Sequence, residues 1–224
     1  MIRKLIHAVM NWLDERTEMR RLIREEVTEK VVPKHRGRRD YMGCFGGLSL
    51  VFFGLQVVSG IFLLMHYSPH PEHAFESVQH ISNDVAFGWL VRRVHAIGAS
   101  FMVVLVLFHM FRVVYTGAYK PPRELHWISG FILLNLTLAM GFSGYLLPWT
   151  QLSYWAATVG TSIPGSVPFL GDYIVHWIRG GPMITGRTLG RFFAMHVMVL
   201  PGLMAAFMGA HFLMIRKSGI SEPL

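Results

Sequence analysis

The chain has 224 residues, 52% apolar and only 15% charged, with a mean hydropathy of +0.40, which excludes an ordinary soluble globular class. A formal charge of +8 would suggest nucleic acid in a soluble protein, but in so apolar a chain the distribution of charge is what informs, and no nucleic-acid partner is expected. The single cysteine, Cys44, excludes an intramolecular disulfide framework and an iron–sulfur cluster ligated by this chain alone.

In chain order, residues 1–30 predict an interfacial helix, with Ile2, Leu5, Ile6, Val9 and Leu13 on one face and charge elsewhere. The stretch lacks the apolar core and cleavage site of a secretory signal, so no processing is expected. Residues 31–40, with Pro33 and Gly37, form the linker, dividing an N-terminal part (1–40) from a transmembrane domain (41–224). Four stretches within that domain lack Lys, Arg, Asp and Glu: 43–65, 94–111, 125–147 and 192–215. Each is long enough to cross a hydrocarbon core of roughly 30 Å. The expected fold class is an all-α membrane protein, a multi-pass bundle of four transmembrane helices with an N-terminal interfacial helix.

Eleven Lys and Arg precede Cys44; Arg112, Lys120 and Arg123 lie between the second and third spans, and Arg216 and Lys217 follow the fourth. The positive-inside rule puts these segments, and both termini, on the negative (cytoplasmic or stromal) side. Segments 66–88 and 149–186 then face the positive side, with Arg179 as their only Lys or Arg. The uncharged stretch 150–170 predicts short amphipathic helices lying on that surface, over a cavity or a partner subunit. His66, His70, His73 and His80 are irregularly spaced in a polar loop and read as solvated residues rather than as a metal site.

Four of the twelve histidines lie in the second and fourth apolar spans: His95 and His109 on the second, His196 and His211 on the fourth. The first pair is 14 residues apart and the second 15, rotations of about −40° and +60° and rises of roughly 21 and 22 Å. Each helix thus presents two imidazoles on broadly one face. Because the second and fourth spans run the same way, His95 is level with His196 near the positive side, and His109 with His211 near the negative side. A lone intramembrane histidine reads as a hydrogen-bonding or proton-relay group. Four at matched heights predict two irons, each held between two imidazoles with no open position, which suits haem-based electron transfer.

Gly46 and Gly60 on the first span, and Gly130 and Gly144 on the third, repeat the 14-residue spacing. Glycine lets a backbone approach a flat macrocycle; the alternative is ordinary small-residue packing, and phase agreement with the histidines favours the first. Arg92, Arg93, Arg187 and Arg191 sit where topology alone does not call for basic residues, as partners for haem propionates or as snorkelling side chains. Arg216, at the negative-side end, is a further cofactor-binding candidate.

These residues resemble the cytochrome b/b6 family, and within it the short, split form. The resemblance covers essentially the whole chain, through Tyr41-Met-Gly-Cys-Phe-Gly-Gly47, Phe87-Gly-Trp-Leu-Val-Arg-Arg-Val-His95, Pro122-Arg-Glu-Leu125, Gly144-Tyr-Leu-Leu-Pro-Trp149, Arg191-Phe-Phe-Ala-Met-His196 and His211-Phe-Leu-Met-Ile-Arg-Lys217. It implies two b haems, and a third, c-type haem bound by thioether to Cys44, which composition alone would leave as a small apolar residue. It also implies a quinol:cytochrome c or plastocyanin reductase working by a proton-translocating Q cycle in a bacterial inner or thylakoid membrane, respiratory or photosynthetic. The implied partners are membrane lipid, a three-helix subunit completing the quinol site, a Rieske iron–sulfur protein and a cytochrome c or similar acceptor, in a homodimeric complex; this chain alone would not turn over. Where the family's short form usually has Pro-Trp-Asp, this chain has Pro148-Trp149-Thr150, which leaves open the quinone type and any proton-exit role there. Two other classes remain: a dihaem membrane anchor for a dehydrogenase or hydrogenase, and a haem-free helical channel or assembly protein.

Overall fold

The computed structural model describes residues 44–219 together with Lys4, His7 and Asn11. Apart from those three residues, the expected interfacial helix and linker lie outside the described residues. Four helices have the length and apolarity to cross a membrane: α1 (Cys44–Leu64), α3 (Gly88–Tyr115), α4 (Glu124–Leu146) and α7 (Gly186–Ser218). Between them lie α2 (Ala74–Asn83), α5 (Gln151–Ser162), a 3₁₀ turn (Ile163–Ser166) and α6 (Gly171–Arg179).

The spans expected at 43–65 and 125–147 match α1 and α4 closely, whereas α3 and α7 extend past the apolar stretches at 94–111 and 192–215. Hydropathy marks only the part of a helix that sits in hydrocarbon. Trp89, Arg92 and Arg93 continue α3 as helix beyond it, with the Arg93 guanidinium 5.9 Å from the centre of the Trp89 ring. The short helices expected in 150–170 are present as α5 and the 3₁₀ turn. Helix α2 was not anticipated; Ala74, Val78 and Ile81 are buried against the bundle, while Phe75 is exposed.

The spans pack as two close pairs, α1 with α3 and α4 with α7, joined by a looser contact of α3 with α4. Helices α3 and α7, which carry the four intramembrane histidines, scarcely touch each other. Helix α7 contains a π-turn over Met195–Val199, where the Leu200 N–H donates to the Met195 carbonyl. Pro201 lies just beyond; lacking an N–H and crowding the preceding turn, it disfavours a regular α register there.

At the His95 end, α5 and α6 close over the bundle. Leu146, Ala157, Ile184 and Phe192 form a buried core, with Trp149, Tyr154, Ile178 and Met195 packed on it. Thr150, the departure from the family pattern, is the N-cap of α5: its hydroxyl accepts from the Ser153 N–H at 3.2 Å, and Ser153 Oγ accepts from the Thr150 N–H at 2.8 Å. Thr and Asp are both good cap residues, so the cap survives the exchange. The buried Arg179 ties the elements together. It donates to Thr161 Oγ1 (2.7 Å), Thr158 O (2.7 Å), Ser162 Oγ (2.7 Å) and Pro182 O (3.0 Å), and its carbonyl accepts from Thr188 Oγ1 (2.7 Å).

Arg179→Leu leaves those oxygens buried without donors, at a cost of about 3 kcal/mol or more. The expected result is a lower unfolding temperature and faster proteolytic cleavage within 150–186, with partial recovery in Arg179→Lys; an unchanged cleavage rate in Arg179→Leu would refute this role.

Candidate functional site

The helix pairs bring the four histidines to two levels. At one, the His95 and His196 rings face each other with centroids 6.2 Å apart and planes at 76°. Two metal–imidazole bonds of about 2.0–2.1 Å each, together with the half-widths of two rings, span a gap of this order. At the other level, a Cβ on Gly130 would meet both the His211 ring (3.5 Å) and Met110, the neighbour of His109 in the chain (3.9 Å), and His126 adds a further ring, 6.4 Å from that of His211.

Each of the four glycines faces one of these imidazoles. A Cβ at Gly144 would lie 2.6 Å from His196 Cε1, at Gly46 3.0 Å from His109 Cε1, at Gly60 3.2 Å from His95 Cε1, and at Gly130 3.5 Å from His211 Cε1. The glycines therefore leave room for the rings themselves, on the helices that flank them.

The residue preceding three of these glycines is a buried serine, and each serine holds an imidazole. Ser59 Oγ is 2.9 Å from His95 Nδ1, Ser129 Oγ 2.7 Å from His211 Nδ1, and Ser143 Oγ 3.1 Å from His196 Nδ1. Each serine hydroxyl also donates along its own helix, to Leu55 O (2.6 Å), His126 O (3.0 Å) and Met140 O (3.1 Å) respectively. With its proton so used, Oγ accepts from Nδ1–H, which leaves the Nε2 lone pair free for a metal. Sequence reasoning missed these serines, although the signal was legible as Ser-Gly at 59–60, 129–130 and 143–144; at the fourth position Phe45 precedes Gly46.

Among the described residues, two buried polar atoms beside these levels have no protein partner: Gln56 Nε2, packed on Gly98, and His126 Nδ1. Orphaned polar atoms next to paired imidazoles fit a group that brings polar substituents of its own, as haem does through its propionates.

The other expected site residues are more dispersed. Cys44 is exposed at the start of α1, two residues before the glycine that faces His109. Arg92 donates to Ser82 Oγ at 3.1 Å, Arg191 bonds the Trp177 carbonyl, and Arg187 lies against Gly180. Arg92, Arg93, Arg187 and Arg191 are exposed at the His95 end, and Arg216 is in the last turn of α7. Tyr67, outside the spans, donates to Leu147 O at 2.7 Å, and its ring stacks on Phe193; burial pushes its phenol pKa up.

A four-span, all-α bundle with serine-oriented imidazoles paired at two depths has the architecture of a haem-binding membrane bundle. The family profile described as Cytochrome b/b6/petB matches residues 27–219. The chain is 46% identical over 215 residues to a cytochrome b6 of Heliobacterium mobile, covering 96% of this chain and 100% of that one. It is 44% identical over 216 residues to a cytochrome b6 of Synechococcus sp. (strain RCC307), covering 96% and 97%. Among solved structures, a chain of a hyperthermophilic respiratory Complex III superposes with a TM-score of 0.88 at 41% identity, covering 95% of this chain; this chain spans 56% of the length of that one. The protein belongs to the cytochrome b/b6 family, whose members carry b-type haem.

Glycine-to-alanine substitutions should act in the order of the clearances. Gly144→Ala drives a methyl into His196 and is expected to lower the b-haem content of the purified protein most, whereas Gly130→Ala should leave it unchanged; equal effects would sink the clearance argument. Ser143→Ala is expected to weaken haem retention roughly 10- to 100-fold and to alter the low-spin haem resonance spectrum, while leaving helix content as it is.

Proposed function

We propose that this chain is the electron-carrying membrane subunit of a quinol-oxidising complex, with His95 and His196 holding one b haem and His109 and His211 the other. The observation that carries this reading is the pairing of four intramembrane imidazoles at two depths, three of them turned by buried serines so that Nε2 is left for iron. When bound, the haems pass single electrons between a quinol oxidation site on the positive side and a quinone reduction site on the negative side. His95 with His196, and His109 with His211, would supply the nitrogen ligands to the two haems, a donor set that would favour electron transfer over oxygen chemistry.

The chain's own residues hold and shape this path. The glycines keep the flanking helices clear of the rings. Arg92, Arg93, Arg187 and Arg191 supply positive charge for propionates at the His95 end, and Arg216 at the His109 end. Cys44, two residues before the glycine that faces His109, would carry a third, c-type haem by thioether, a reading supported by the resemblance to the family's short form. The loops at the His95 end belong on the positive side, and both termini on the negative side. Thr150 caps α5 and, having no carboxylate, cannot supply the titratable group that an aspartate at this position would. The similarity to cytochrome b6 supports the partners expected from the resemblance: a Rieske iron–sulfur protein, a three-helix subunit, a cytochrome c or similar acceptor and a second copy of the complex, in a bacterial inner or thylakoid membrane.

Haem measured on the purified complex by pyridine haemochrome, before and after acid–acetone extraction, with haem staining of this subunit on a denaturing gel, tests the reading. Two extractable b haems and one retained on this band, the latter lost in Cys44→Ser, are expected. Two extractable haems with an unstained band would remove the third haem and favour a dihaem anchor; no haem at all would end the electron-transfer reading.

A further inference from the structure

The segment joining α1 to α2 carries Ser68-Pro69-His70-Pro71-Glu72-His73, and nothing in the haem arrangement uses it. The fold gathers three of its side chains: ligand atoms of His70, Glu72 and His73 all lie within 4.8 Å of one another, and all three residues are exposed. The two histidine rings have centroids 5.4 Å apart. The geometry points to a divalent transition-metal site here, with zinc as the best match, formed by two imidazole nitrogens and one carboxylate oxygen with water completing a tetrahedron.

Three features support ligation over chance proximity. The first is the donor set: imidazole with carboxylate suits Zn²⁺, and to a lesser degree Cu²⁺ or Ni²⁺, whereas Mg²⁺ and Ca²⁺ favour all-oxygen sites. The second is the outer sphere, since His73 Nδ1 lies 3.7 Å from Glu76 Oε2 on the first turn of α2. At that distance the carboxylate is not hydrogen-bonded to the ring, but it adds negative charge beside the cluster, which favours a bound cation.

The third feature is rigidity. His70 sits between two prolines, whose fixed φ limits the loop's freedom. The His70 carbonyl accepts from the N–H groups of His73 (2.9 Å) and Ala74 (2.7 Å), folding the ligands into one turn at the start of α2. On one flank, the Ser68 N–H donates to Ser77 Oγ at 3.2 Å and Tyr67 is tied to Leu147 O. On the other, Pro71 packs where a Cβ on Gly186 would lie 2.7 Å from its Cγ. A loop held at both ends keeps its ligands together before the metal arrives, which lowers the ordering cost of binding. The one opposing contact is long: the Glu72 N–H reaches His70 Nδ1 at 3.4 Å, and a metal bond readily displaces it. His66 and His80 lie outside the cluster, with rings 6.4 Å apart and His80 Nδ1 3.0 Å from Asp84 Oδ2.

The test uses the intact, haem-loaded complex, stripped with a chelator and titrated with zinc alone by equilibrium dialysis and elemental analysis. One saturable zinc per copy of this chain is expected, lost in His70→Ala/His73→Ala and weakened about two- to five-fold in Glu76→Gln, through loss of a nearby charge. His176→Ala, an exposed histidine on α6, should leave it intact; the b-haem spectrum verifies assembly of each variant. Equal zinc binding by the native complex and the double variant, or no saturable zinc in the native complex, overturns the site. Should the double variant not assemble, zinc-edge absorption on the native complex decides: two imidazoles with one carboxylate support the site, and a shell without imidazole overturns it.

Discussion

The approach of His95 to His196 across a gap that their own helices do not close is the constraint on which the rest of the structure depends. Helix α3 packs against α1, and α7 against α4, but α3 and α7 scarcely meet. Two helices that must present nitrogen to a common point cannot also interdigitate there. The bundle is therefore held by its flanking pairs, and those flanking helices must be slender where the imidazoles turn. Glycine at each of four positions, with serine before three of them, meets that need with backbone closeness and a serine hydrogen bond to three of the four rings.

The repeat that organises this arrangement is 14 residues long in three helices and 15 in the fourth. On an ideal helix the extra residue would swing His196 by about 100° relative to His211. The π-turn at Met195–Val199 takes up one residue within a single turn. Its position, on His196 itself and just before Pro201, brings the 15-residue spacing of α7 into register with the 14-residue spacings of α1, α3 and α4. An irregularity in the helix thus serves the regularity of the site.

The cap at the His95 end follows a different logic. It has little charge, so its hydrogen bonds are made by neutral oxygens converging on Arg179, by the Thr150–Ser153 capping box and by Tyr67 on the Leu147 carbonyl. These contacts tie the loops to the ends of α1, α4 and α7, and so position the surface beside the His95–His196 level. The same anchoring holds the turn that gathers His70, Glu72 and His73.

Much of this was legible in the sequence, because a bilayer makes composition and spacing unusually informative: a hydrocarbon core demands uncharged spans of fixed length, and an imidazole inside one is costly unless it has a task. The four spans, the depth of each histidine and the glycine period follow from counting residues. Tertiary structure alone decided the serine contacts to Nδ1: the Ser-Gly pairs carry a spacing, but which ring atom a hydroxyl on another helix meets is set by packing. It also decided the π-turn, which depends on one missing N–H and on the packing of α7, and the convergence on Arg179. The short loop turn that brings two histidines and a glutamate together was hidden for the same reason: irregular spacing carries no signal until the backbone folds it.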